Sequence, residues 1–149
     1  MDREKEGAKS YTWEGETGRN FLEDLSTFVE QTCRRLGVDE KSCCHVQMAV
    51  GEAGANTKEH AYQGGKGKVQ LEMKKTDSTL EIRLTDWGQP IQLDRVPEPK
   101  VTSNLEEARL DGLGVMIMRK AMDEVAFETS PTGNHLTMRK NLAPSTNGS

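Results

Sequence analysis

Long apolar stretches are absent from this chain. No run approaches the ~20 residues needed to cross a bilayer. The opening residues, MDREKEGAKS, contain no apolar signal segment. The expectation is a cytoplasmic protein with no membrane partner. Charge of one sign is not in large excess either: the formal net charge is −4 and the pI about 5.5. An acidic balance argues against direct binding to nucleic acid, which is driven by phosphate neutralisation. Cysteine is confined to Cys33, Cys43 and Cys44. No CxxC occurs, and His45 beside Cys43 and Cys44 does not give zinc spacing. They read as reduced thiols. Internal repeats and domain linkers are also missing. What remains is 149 residues, 34% hydrophobic and 30% charged. That suits one domain over 1–149, with a core over about 10–141 and loose ends.

Periodicity places the elements. Tyr11 and Trp13 alternate with polar residues, a short strand signal after a charged, frayed start. Phe21, Leu22, Leu25, Phe28, Val29, Cys33 and Leu36 recur at helical steps, and Gly37 is a natural stop. Asp39 is a good N-cap for a second helix, whose apolar stripe is Cys43, Val46, Ala49, Val50, Ala53, Thr57 and Ala61. Gly64, Gly65 and Gly67 end it. Val69, Leu71 and Met73, then Leu80, Ile82 and Leu84, alternate as two strands around a turn at Lys74 to Ser78. A long irregular stretch with three prolines follows, then a helix from Leu113. A final hairpin turns at SPTGN. The order β-α-α-β-β-loop-α-β-β predicts an α+β two-layer sandwich. Its mainly antiparallel sheet would be covered on one face by three helices.

Three stretches carry polar chemistry. In GEAGANTKEHAY, residues Glu52, Asn56 and His60 are four apart, so an α-helix would align them in one column beside the apolar stripe. An amide oxygen is a hard neutral ligand suited to Mg²⁺ already carried by phosphates. A carboxylate one turn away can take a proton from a hydroxyl. In TDWGQP, Asp86 closes a strand and can accept from an exocyclic amine, while Gly88 lets a flat ring approach. In DGLG, glycines open a helix and expose backbone N–H groups at its positive end, a phosphate-binding arrangement. None of the three is diagnostic alone, since Asp-x-Gly is common turn chemistry and GxG opens many helices.

Together, in this order and spacing, they resemble the Bergerat-fold ATPases, which include gyrase, histidine kinases and a heat-shock chaperone. Glu52 to Asn56 looks like their N box, Asp86-Trp87-Gly88 like their first glycine box and Gly112-Leu113-Gly114 like their second. EAGANTKEHAY, DWGQP, GLGVMIMRKAMDEV and GNHLTMRK narrow the resemblance to the bacterial anti-sigma-factor serine/threonine kinases of partner-switching systems.

The resemblance implies ATP and Mg²⁺ as cofactors. Asn56 would hold the metal and Glu52 would be the general base. Asp86 and Gly88 would take adenine, with the Thr137 hydroxyl completing that site. The amides of Gly112, Leu113 and Gly114 would cradle phosphate, and about Gln89 to Asp111 would form a lid. His60 would pack near the adenine end. The implied partners are a STAS-type anti-anti-sigma factor as phosphoacceptor, a sigma factor and a second copy of the chain. Two other readings share these boxes: a regulator-binding module with only structural nucleotide, and a switch kinase of a stress-sensing complex. Asp111 departs from the Gly, Arg or Ser common before the second glycine box. A carboxylate there opposes phosphate unless Arg109 offsets it.

Overall fold

The computed structural model describes residues 3–5, 8–89 and 113–142. Its strands are β1 (Arg3–Lys5), β2 (Ala8–Glu16), β3 (Lys68–Thr76), β4 (Thr79–Asp86), β5 (Glu124–Ser130) and β6 (Gly133–Asn141). Its helices are α1 (Phe21–Leu36), α2 (Glu40–Asn56), which runs on as a π turn over Thr57–Ala61, and α3 (Leu113–Ala121). The strands form one sheet in the order β1-β2-β3-β4-β6-β5, and every pairing is antiparallel.

Alternation decides which face is covered. Val69, Leu71 and Met73 of β3, Leu80, Ile82 and Leu84 of β4, and Leu136 and Met138 of β6 are all buried. Residues paired across an antiparallel ladder share a face, and Leu71↔Leu84↔Leu136 and Met73↔Ile82↔Met138 are such rows. Against them lie Phe21, Leu25, Val29 and Cys33 of α1, Val46, Val50 and Ala53 of α2, and Met118 of α3. The result is the expected two-layer sandwich, with the other face of the sheet polar.

The helix ends follow the sequence signals. Gly37 takes φ 72° and closes α1, a left-handed conformation that glycine adopts without Cβ strain. Asp39 caps α2 by accepting from the Ser42 amide at 3.0 Å. That bond holds the Asp39 carboxyl below its ordinary range. Burial raises the Cys33 thiol well above its ordinary value, helped by neighbouring Cys43.

Two expectations change. The charged start is not wholly frayed: Arg3–Lys5 pairs with Ala8 to Ser10 as an edge strand. Backbone hydrogen bonds hold such a strand, so no apolar pattern announces it. Lys74 and Lys75 lie in β3 rather than in a turn, opposite Ser10 and Lys9. Their ladder continues although their side chains leave the core pattern, so the turn narrows to Asp77 and Ser78.

Candidate functional site

The α2 helix brings Glu52 and Asn56, both half-buried, to the edge of the apolar stripe. Gly114, in the first turn of α3, faces them from the opposite side. A Cβ added there would lie 3.0 Å from Glu52 Oε1 and 3.8 and 3.9 Å from Asn56 Oδ1 and Nδ2. Absence of a side chain at 114 thus leaves a polar cradle between the two helices. Its donors are one carboxylate and one amide oxygen. Among the described residues no group of three or more His, Cys, Asp or Glu is gathered to hold a metal. Such a cradle suits a hard cation that brings most of its own ligands.

Asp86, 4% exposed, ends β4. Its Oδ1 accepts from the Gly88 amide at 2.9 Å and from Asn134 Nδ2 at 2.7 Å. A cavity of about 20 Å³ lies between Asn56 and Asp86, lined also by Ala53, Thr57, Leu84 and Leu136, with Met118 of α3 and Phe127 of β5. That volume is about one water's room, so a flat ring enters only as the walls part. Met118, an unbranched and adaptable side chain, makes the wall next to α3 compliant.

The turn after Asp86 is fixed from α2. The Gln89 amide donates to Ala61 O at 2.8 Å, and the Trp87 amide to the Tyr62 hydroxyl at 2.8 Å. Tyr62 in turn donates to Lys68 O at 2.6 Å. Burial raises the Tyr62 phenol above its ordinary range, with the charge of Asp86 adding to the shift and the Trp87 amide opposing it. A Cβ on Gly88 would meet Ala61 O at 2.3 Å. The glycine is therefore required by the helix end it packs against, whatever else approaches it.

Glu52, Asn56, Asp86 and Gly114 come together, and Leu113 opens α3 beside them. Gly112, the proposed lid from Pro90 onward, Arg109 and Asp111 lie outside the described residues. Two expected members do not join. His60 is exposed, because Thr57–Ala61 winds as a π turn and the four-residue spacing no longer keeps it in the column. Thr137 sits on the other face of the sheet. It pairs with Arg83 and Ala126, whereas Asp86 pairs with Asn134. Asn134 was missed, although β6 carried the signal. If Leu136 and Met138 point inward, alternation also points Asn134 inward and Thr137 outward.

Comparison with known proteins agrees with this geometry. Residues 20–140 match the histidine kinase-like ATPase domain. An anti-sigma F factor of Caldanaerobacter subterraneus subsp. tengcongensis is 32% identical over 106 residues, spanning 70% of this chain and 73% of the relative. A serine-protein kinase RsbW of Halalkalibacterium halodurans is 29% identical over 126 residues, spanning 82% and 76%. The RsbU and RsbW domains of a Mycobacterium tuberculosis protein share the fold with a TM-score of 0.61 at 13% identity, over 93% of this chain and 34% of that one. The SiaB–SiaC complex of Pseudomonas aeruginosa gives 0.57 at 12% identity, over 87% and 88%. The chain thus belongs to the histidine kinase-like ATPases, and within them to the anti-sigma-factor serine/threonine kinase family. Among the described residues no helix is long and apolar enough to cross a membrane.

Proposed function

We propose that this protein is an anti-sigma factor and an ATP-dependent protein-serine kinase, which phosphorylates a STAS-type anti-anti-sigma partner and so inactivates it. The observation that carries the reading is that Gly114 packs onto Glu52 and Asn56, while Asn56 and Asp86 line one cavity. Asn56 of α2 then stands between a base-binding end on β4 and a phosphate end on α3.

In this reading Asp86 accepts the amino group of adenine. The amides of Gly112, Leu113 and Gly114 hold phosphate at the start of α3, where the helix dipole favours negative charge. Asn56 Oδ1 is the protein ligand for Mg²⁺, which would neutralise charge on the triphosphate. Glu52 takes the proton from the partner's serine hydroxyl as its oxygen attacks the γ-phosphorus and ADP leaves. Assistance of this kind is worth about 10²–10⁴ in rate. The protein also binds a sigma factor and acts as a homodimer.

Thermal unfolding with and without Mg-ATP tests the nucleotide part. A ligand at 100 times its dissociation constant stabilises by about 2.7 kcal/mol, and Asn56→Ala is expected to abolish most of the shift. Labelled ATP with a STAS-domain partner tests transfer, which Glu52→Ala is expected to abolish with binding retained. No shift in the wild type would leave a partner-binding module without nucleotide chemistry.

A further inference from the structure

We infer that Asn134 is the positioning residue that aims Asp86, and that it thereby sets selectivity for adenine over guanine nucleotides. The inference rests on the nucleotide reading above and deepens it.

Asn134 is the second residue of β6, directly across the ladder from Asp86, and is 3% exposed. Its amide nitrogen has two hydrogens and both are used. One goes to Asp86 Oδ1 at 2.7 Å and the other to Gly88 O at 3.0 Å. Its amide oxygen accepts from the Thr129 hydroxyl of β5 at 3.0 Å. A carboxylate and a carbonyl can only accept, and a hydroxyl can donate, so the amide fits this site in one orientation. Asn134 therefore ties three elements together: the end of β4, the turn that follows it, and β5.

The effect falls on the carboxylate. Asp86 Oδ1 receives Asn134 Nδ2 and the Gly88 amide, which uses its two lone-pair directions. A base must then be read by Oδ2. Without these bonds the terminal torsion of an aspartate is broad and roughly two-fold, and the carboxylate could turn to suit either base. Held as it is, it offers an acceptor to the amine of adenine. Guanine presents a carbonyl at that place, and two acceptors would meet in a buried site. A site built to receive a donor rejects a group lacking it strongly, because a buried polar atom is left unpaired. The amide is suited to this role in a way that a hydroxyl is not. A serine or threonine would donate once, to Asp86 or to Gly88, and could not bridge both. Asn134 has no donor left for the base, so discrimination rests on how rigidly Asp86 is held.

The test is the ratio of ATP to GTP affinity, measured by calorimetry with Mg²⁺ in both cases, for wild type, Asn134→Ala, Asn134→Thr and Thr129→Val. The wild type should prefer ATP. Asn134→Ala should weaken ATP by roughly tenfold to a hundredfold while GTP changes little, so the ratio collapses. Asn134→Thr, which keeps one donor, should recover part of it. Thr129→Val removes an exposed hydroxyl that steadies the amide and should fall in between. A folded Asn134→Ala that keeps the wild-type ratio overturns the inference. If that variant does not fold, an unchanged ratio in Thr129→Val overturns it. A wild type that binds neither nucleotide overturns the nucleotide reading itself, an outcome distinct from binding both equally, which overturns only the selectivity.

Discussion

Replacing Gly114 by alanine should separate folding from phosphotransfer. The added Cβ would lie 3.0 Å from Glu52 Oε1, inside the ~3.5 Å at which carbon contacts are comfortable. It would lie 3.8 and 3.9 Å from the Asn56 amide atoms, in ordinary contact. The carboxylate must therefore give way by a few tenths of an ångström while the amide stays. Gly114 is not among the glycines of positive φ, so alanine meets no backbone strain, and inside a helix alanine is favoured over glycine by about 1 kcal/mol. The net expectation is a fold of equal or slightly greater stability, with a melting point raised by about 3 °C at most. Affinity for Mg-ATP should stay close to wild type, since the backbone amide at 114 remains. Transfer should fall: a misplacement of about 1 Å can cost 10²-fold, so a shift of a few tenths predicts a loss of roughly tenfold. The assay is single-turnover transfer from labelled ATP to a STAS-domain partner, run beside thermal unfolding of the same preparation. A wild-type transfer rate would refute the placing of Glu52 as base at this contact. A melting point several degrees lower would refute the reasoning on packing.

Further perturbations test the corrected site and the fold. His60→Ala and Thr137→Val should each change stability by no more than about 0.5 kcal/mol and leave nucleotide affinity unaltered, measured by calorimetry; a marked loss from either would restore it to the site. Asp39→Ala should cost about 1 kcal/mol at neutral pH, as loss of an N-cap does. The folded carboxyl lies below its ordinary 3.8, so its contribution is present above that value and fades as pH falls through it and below. Denaturant melts of wild type and variant should therefore converge in acid. Leu25→Ala, at a position 1% exposed, should lose about 2–5 kcal/mol by equilibrium unfolding.

What was legible in the sequence was what repeats locally. The stripe from Phe21 to Leu36 with Gly37 behind it, the Asp39 cap, and the alternation in β3 and β4 each depend on neighbours a few residues away. The meeting of Glu52, Asn56, Asp86 and Gly114 was legible only through the family resemblance, since of the four just Glu52 and Asn56 share an element. His60 was misplaced because a constant α-helical step was assumed past Asn56, and nothing local marks a π turn. Thr137 came from the resemblance, and Asn134 carries no local signal of its partner, since Asp86 is 48 residues away in the chain. Only the register between β4 and β6 puts that amide against Asp86. β1 was invisible for a third reason: its three residues are held by backbone bonds, which leave no pattern in side chains.

Glu52 and Asn56 are half-buried and stand outside the buried cluster that joins the helices to the sheet. Folding would therefore survive their loss. The two side chains can thus be varied without cost to the packing of helices on the sheet. If Glu52 is the base proposed above, its substitution should therefore remove transfer and leave the fold standing.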